Sequence, residues 1–267
     1  MNDSESIIDV ENLVTHYGTR MILKGVTMSV RRGEIMVIMG GSGSGKSTLL
    51  RHLIALEWPT SGSIKLLGNA LEELDNDGFH ALRKKIGVAF QGGALFSSMT
   101  VGENIMLPLA EHTHLDRQTM EIMARMKLEV VDLAGFENLM PSELSGGMLK
   151  RAALARAIIM DPQVLFCDEP SAGLDPVVSS ALDELILRLR DALGMSLVVV
   201  THELESAFRI ADRITVLDKG HILFIGTVDE IKNSSNERIQ NLLNRRTEEA
   251  ELDPVAYLNR LTGDKSV

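Results

Sequence analysis

Nine consecutive residues, Gly40-Gly41-Ser42-Gly43-Ser44-Gly45-Lys46-Ser47-Thr48, have the spacing G-x-x-x-x-G-K-[ST]. Glycines at that density let a backbone wrap closely around phosphate with its N–H groups aimed inward. In such a loop Lys46 reaches the β- and γ-phosphates of a nucleotide, and the Ser47 hydroxyl is suited to Mg2+. A second feature lies far along the chain, where the apolar run Val164-Leu165-Phe166-Cys167 ends in Asp168 and Glu169. A strand of that kind delivers both carboxylates to the edge of a sheet. Asp168 then suits Mg2+ coordination, directly or through water, and Glu169 is the candidate general base that polarises an attacking water. Together the two features make one phosphoryl-transfer site.

The elements around these residues must hold them there. Ile35-Met36-Val37-Ile38-Met39 is a continuous apolar run of strand length just before the glycine loop, as expected of a strand covered on both faces. Thr48 to Leu56 looks helical, so a helix N-terminus adds its positive end to the loop. Further strands are expected over Ile7 to Val14, Met28 to Val30, Ile64 to Gly68, Ile86 to Phe90 and Leu197 to Val200. Asp218-Lys219-Gly220 reads as a hairpin turn between Ile214–Leu217 and His221–Phe224. From Gly92 to Pro162 helical spacing dominates, with Met120, Met123, Ala124 and Met126 to Leu128 expected on one core-facing helix face. Ala181 to Leu193 carries an apolar face and stops at Gly194. After Gly226 a polar tail begins. Ile239, Leu242 and Leu243 share one face there, which either packs on its own domain or reaches another subunit or regulator.

The chain has 267 residues and a formal net charge of −10. No basic stripe is visible, which argues against a nucleic-acid partner. One cysteine, Cys167, excludes an internal disulfide and reads as a small buried hydrophobe. His112 and His114 are too few ligands for a closed metal site. The polar, acidic start from Met1 to Ile8 does not read as a signal peptide. No apolar run approaches the ~20 residues of a membrane helix, so any membrane role is expected to come through a partner.

The glycine loop alone indicates a P-loop NTPase, a class that includes kinases and GTPases. Leu144-Ser145-Gly146-Gly147-Met148 narrows it, because it resembles the signature of ABC transporter ATPases, usually L-S-G-G-Q. The resemblance runs from about Ile7 to Gly226. Tyr17 matches the family's adenine-stacking aromatic and Gln91 its Q-loop glutamine, a γ-phosphate sensor and metal ligand. Ser171-Ala172-Gly173-Leu174-Asp175 matches its D-loop, and His202 its switch histidine. The resemblance implies an α/β fold: a RecA-like P-loop NTPase core (1–91 and 163–226) with an N-terminal antiparallel β layer, an inserted α-helical signature subdomain (92–162) and a helical C-terminal tail (227–267). It also implies ATP and Mg2+ as cofactors and a homodimer in which Ser145, Gly146 and Gly147 contact the ATP held by the opposite subunit, with Asp175 coupling the two sites.

Met148 departs from the usual signature glutamine. The phosphate contact rests on Ser145 and the glycine amides, so hydrolysis is expected to survive. With Gln91 to Phe96 and Thr100 to Ile105, this departure resembles MlaF-type ATPases of bacterial phospholipid-trafficking (Mla) complexes, which maintain outer-membrane lipid asymmetry. That resemblance implies a peripheral position on the cytoplasmic face of the inner membrane. It also implies three partners: a polytopic MlaE-like permease, an MlaD-like MCE lipid-binding protein and an MlaB-like STAS-domain protein. Ala94, Leu95, Phe96, Met99 and Val101 form an apolar cluster that either receives a permease helix or belongs to the core. The alternatives are the ATPase of another ABC transporter and a soluble ABC-type scaffold. DNA-repair ABC ATPases carry a long coiled coil or metal fingers, for which 92–162 is too short and one cysteine too few.

Overall fold

A computed structural model describes residues 6–244 of the chain. In chain order its elements are β1 (Ser6–Tyr17), β2 (Arg20–Arg31), β3 (Ile35–Met39), α1 (Lys46–Leu53), β4 (Ser61–Leu66), β5 (Asn69–Ala70), α2 (Asn76–Arg83), β6 (Ile86–Ala89), α3 (Val101–His112), α4 (Arg117–Val130) and α5 (Gly146–Ala157). Then follow β7 (Val164–Asp168), α6 (Pro176–Leu193), β8 (Ser196–Val200), α7 (Leu204–Ile210), β9 (Arg213–Asp218), β10 (His221–Gly226), α8 (Val228–Lys232) and α9 (Glu237–Leu243).

The central sheet has the order β10-β9-β3-β8-β7-β6. Its strands are parallel except β10, which returns antiparallel to β9 through the two-residue turn Lys219-Gly220. β3 and β8 are buried at every position, as their unbroken apolar runs require of strands covered on both faces. The period-2 alternation sorts their side chains. Ile35, Val37, Met39, Leu197 and Val199 enter a core shared with α3 to α9. Met36, Ile38, Val198 and Val200 enter a second core beneath α1 and the N-terminal strands.

Those N-terminal strands form a separate antiparallel sheet, β2-β1-β4-β5. β2 begins at Arg20, well before the expected Met28–Val30. Its second half, Val26 to Val30, alternates apolar and polar residues, while the short apolar run Met21-Ile22-Leu23 is separated from it by Lys24 and Gly25 and so does not read as part of the same strand. The Lys219-Gly220 turn ties this sheet to the glycine loop: Lys24 N donates to Gly220 O at 2.9 Å and Gly220 N donates to Ser44 O at 3.0 Å. Gly220 has no room for a side chain, since a Cβ would lie 2.2 Å from Ile22 O.

Three helices occupy the stretch between β6 and β7. α3 opens with a capping box in which Thr100 and Glu103 bond each other's backbone amides; Asp116 caps α4 and Ser145 caps α5. On α4, Ala124 and Leu128 are buried and Met120 and Met123 pack against them, but Met126 is 60% exposed. The expected methionine face therefore excludes Met126, which falls on the opposite side of the helix at 100° per residue. α6 ends at Gly194 in the left-handed conformation. In α9, Ile239 is buried, with Leu242 and Leu243 packed beside it on the chain's own core. The charged link Glu248–Glu251 and the apolar residues of Pro254–Leu261 lie outside the described residues. Among the described residues no helix is long and apolar enough to cross a membrane.

Candidate nucleotide site

The glycine loop joins β3 to α1 at the C-terminal edge of the central sheet. A Cβ on Gly40 would lie 2.1 Å from Leu217 O and 2.7 Å from Ser44 Oγ, so only glycine lets the loop pass so close to β9. A Cβ on Gly41 or Gly43 would meet nothing within 4 Å, which leaves that side of the loop open to a ligand. Lys46 folds back over the loop, its Nζ donating to Gly40 O at 2.9 Å and Gly41 O at 3.1 Å. Ser42 and Ser47 are exposed, and Thr48 is buried as α1 begins.

β7 delivers Asp168 and Glu169 beside this loop, as its sequence predicts. Glu169 sits at φ 47°, a left-handed conformation uncommon for a residue with a side chain and a form of local strain found at functional sites. Its N–H donates to Val200 O at 2.8 Å. Glu169 Oε1 lies 2.8 Å from His202 Nδ1, so with Glu169 ionised His202 is the donor, while Glu169 Oε2 is buried without a partner. Four buried side-chain polar atoms among the described residues lack a hydrogen bond, and three of them, Ser44 Oγ, Glu169 Oε2 and Ser171 Oγ, belong to this region. Unpartnered buried polar atoms are costly and rare, and their concentration here marks a place where a polar ligand supplies what the protein lacks.

The electrostatics point the same way. Burial, followed by the charge of Glu169, pushes the Asp168 carboxyl above its ordinary range, against the opposing pull of Arg51, Lys150 and Lys46. Burial lowers the Lys46 ammonium, which Glu169 and Asp168 counter. Asp168, the Ser47 hydroxyl and nucleotide phosphates form an all-oxygen donor set that suits Mg2+, a cation that commonly takes one or two carboxylates plus substrate phosphates. No group of three or more His, Cys, Asp or Glu side chains is arranged for a metal among the described residues. Cys167, one residue before, is buried and its thiol is pushed up to about 12, as expected of an inert core residue.

A cleft of about 1050 Å³ opens over Gly40, Gly41, Ser42, Lys46, Glu169 and His202. The remaining predicted residues stand around it without lining it. Gln91 is exposed on the loop after β6. Tyr17 ends β1, 45% exposed; its hydroxyl donates to Glu57 and accepts from Arg51 Nη1 of α1 at 3.5 Å, which sets the ring beside the helix that starts at Lys46. Ser145 and Gly146 are exposed at the start of α5, where Ser145 Oγ accepts from Met148 N at 3.3 Å. Gly147 is held against α6, where a Cβ would lie 2.7 Å from Val178 Cγ1. Asp175 Oδ1 accepts from Val177 N and Val178 N, both at 3.1 Å, so this side chain caps α6.

Three residues to which the sequence reading gave no role of their own brace these loops. Arg156 donates to Gly93 O at 2.9 Å and Ala94 O at 2.8 Å. Buried Asn104 accepts from Phe96 N at 2.7 Å and donates to the carbonyls of Phe96, Met99 and Thr100. Lys150 donates to Gln91 O, and to Glu169 O at 3.2 Å. A basic or amide residue on an amphipathic helix ordinarily reads as solvated, so only the carbonyls these side chains meet reveal the role.

The sequence profile of the family described as ABC transporter matches residues 23–172. The chain is 39% identical over 240 residues to the intermembrane phospholipid transport system ATP-binding protein MlaF of Haemophilus influenzae, covering 90% of this chain and 91% of that one. It is 37% identical over 239 residues to the probable ribonucleotide transport ATP-binding protein mkl of Mycobacterium leprae, covering 90% and 69%. Among solved structures, the dimeric post-hydrolysis ATP-binding cassette MJ0796 bound to ADP and Pi matches at a TM-score of 0.76 and 31% identity, over 83% of this chain and 98% of that one. The Clostridium perfringens cbiO1, part of the ABC transporter complex cbiONQ, matches at 0.79 and 28%, over 96% and 99%. With its phosphate loop, its Asp168-Glu169 strand end and its signature helix on one such cassette, this chain belongs to the ATP-binding ATPase family of ABC transporters.

Proposed function

We propose that two copies of this chain close head-to-tail on two ATP molecules, and that ATP hydrolysis drives phospholipid between membranes through an inner-membrane permease. The observation that carries the lipid assignment is the near full-length similarity to MlaF, by name the ATP-binding protein of an intermembrane phospholipid transport system. The dimer is supported by the dimeric cassettes of the same fold and by the exposure of Ser145 and Gly146, which line no nucleotide cleft of their own subunit.

In this reading Lys46 leaves the carbonyls of Gly40 and Gly41 for the β- and γ-phosphates, and the loop amides from Gly41 to Thr48 bind the phosphate oxygens. Tyr17 stacks on adenine. Ser47, Asp168 and Gln91 would hold Mg2+, which when bound neutralises phosphate charge. Glu169 accepts a proton from the attacking water, and His202 fixes the orientation of that carboxylate. Ser145 and the amides of Gly146 and Gly147 approach the γ-phosphate held by the other copy, and the Asp175 segment transmits closure between sites. The partners are an MlaE-like permease, an MlaD-like MCE protein and an MlaB-like STAS-domain protein, with the ATPase on the cytoplasmic face of the inner membrane.

The apolar cluster after Gln91 divides into two parts. Val101 is fully buried, whereas Phe96 is 51% exposed on a backbone that Asn104 grips at both its N–H and its C=O. A rigidly held, exposed aromatic is well suited to anchor a partner helix. Phe96→Ala is expected to lower permease recovery about 10-fold, in the range of an interface hot spot, with ATP binding unchanged. Equal recovery would place the permease contact elsewhere.

The assignment is tested by pull-down from membranes with Glu169→Gln and Mg2+-ATP, identifying partners by mass spectrometry. A polytopic permease with an MCE-type protein supports phospholipid transport. A permease without a lipid-binding partner, active on ribonucleotides, favours the reading suggested by the name of mkl. A wholly soluble partner set indicates a scaffold ATPase.

A further inference from the structure

Lys150 stands where three functional segments meet. It lies on α5, one turn beyond the signature residues Ser145, Gly146 and Gly147 that begin that helix. Its ammonium donates to the backbone carbonyl of Gln91 on the loop after β6 and to the backbone carbonyl of Glu169 after β7. The peptide groups flanking Glu169 are therefore gripped on both sides: the N–H by Val200 O on β8 and the C=O by Lys150. These bonds help hold Glu169 in its left-handed conformation, with Oε1 on His202. Lys150 is half-buried, and Asp168, Glu169 and Glu203 favour its charged form against the cost of burial. Among the described residues, no other side chain of α5 hydrogen-bonds both loops.

We propose that Lys150 is a positioning residue that couples the signature helix to the hydrolytic machinery of its own subunit. Docking of Ser145–Gly147 on the opposite subunit's ATP shifts or steadies α5. Lys150 passes that displacement to Gln91 and Glu169, so each site becomes competent when the other subunit's nucleotide is engaged. Hydrogen bonds weaken steeply with distance and angle, so a small movement of α5 suffices to tighten or release both loops. The inference rests on the dimeric ATPase reading above, and wild-type turnover measured alongside tests that reading separately.

The experiment compares wild type with Lys150→Met, which keeps the length of the side chain but has no donor, and Lys150→Arg, which restores donors. Steady-state ATPase rates are measured across ATP concentration, with ATP affinity measured on each protein. Lys150→Met is expected to lower kcat roughly 10- to 100-fold, the cost of misplacing reacting groups by about 1 Å. KM and ATP affinity should stay within about 2-fold, the pattern of an interaction made in the transition state. The Hill coefficient should fall toward about 1, as two uncoupled sites require, and Lys150→Arg should recover most of both losses. Hydrogen exchange provides a second measurement: ATP should protect the amides of 91–94 and 169–173 in wild type and Lys150→Arg but not in Lys150→Met. Unchanged kcat and Hill coefficient in Lys150→Met would overturn the proposal. So would a parallel loss of ATP affinity and thermal stability that Lys150→Arg does not repair, since that describes only a structural brace.

Discussion

Glu169→Gln is expected to bind ATP, to stay closed as a dimer and to hydrolyse ATP roughly 10²- to 10⁴-fold more slowly than wild type, the range attributed to a positioned general base. The substitution is isosteric. Gln Oε1 still accepts from His202 Nδ1, where the Glu169 oxygen now lies at 2.8 Å, and the backbone bonds to Val200 and Lys150 are untouched. What disappears is the proton acceptor, the buried Oε2 that has no partner of its own. The measurement pairs single-turnover ATP hydrolysis with size-exclusion chromatography in Mg2+-ATP. A variant that turns over within about 10-fold of wild type loses too little for Glu169 to be the base. His202→Ala provides the contrast. It leaves the base in place but frees its carboxylate to rotate, so its loss should fall on kcat while nucleotide affinity holds.

The parts of this site that were legible in the sequence are those written on contiguous residues. Gly40 to Thr48 carry their own spacing, and Val164 to Glu169 show a buried strand ending in charge. The Lys219-Gly220 turn and the stop of α6 at Gly194 depend on single residues that adopt left-handed conformations. Contacts across long separations were not legible. Lys150 meets Gln91 across 59 residues, and Arg156 meets Ala94 and Gly93 across 62 and 63. Both are basic residues on a helix whose pattern is satisfied equally well by solvent. The apolar cluster from Ala94 to Val101 looked uniform, but the capping box at Thr100 turns the chain, burying Val101 and exposing Phe96. β5 and α2 were missed because they are short and largely polar, and α2 starts from the Asp75 cap. Asp175 shows a different limit: a D-loop aspartate and a helix N-cap look the same in sequence, and its Oδ1 is already engaged by α6.

Asp168→Asn should move activity and stability in opposite directions. Burial and the adjacent Glu169 raise the Asp168 carboxyl above its unfolded value near 3.8. The folded state therefore holds this proton more tightly than the unfolded chain does. Stability from this group is greatest below the unfolded value and falls as pH rises through the raised folded value, so at pH 7 the ionised carboxylate opposes folding. An asparagine carries no such charge. Without nucleotide at pH 7 the variant should therefore melt at a higher temperature than wild type. The gain should shrink toward pH 4, where the wild-type group becomes protonated. It is also tempered by Lys46 and Lys150, whose ammonium groups Asp168 helps to keep charged. Mg2+-ATP should reverse the order. Wild type gains stability from a ligand that binds only the folded state, whereas the variant lacks the carboxylate for the cation and turns over roughly 10²- to 10³-fold more slowly, the cost of removing one electrostatic stabiliser. Thermal melts with and without Mg2+-ATP, run at both pH values beside the ATPase assay, test each step. A variant less stable than wild type in the nucleotide-free state would mean that Asp168 supports the fold. A variant that melts higher and is inactive would mean that the fold carries this buried charge for the sake of the bound nucleotide.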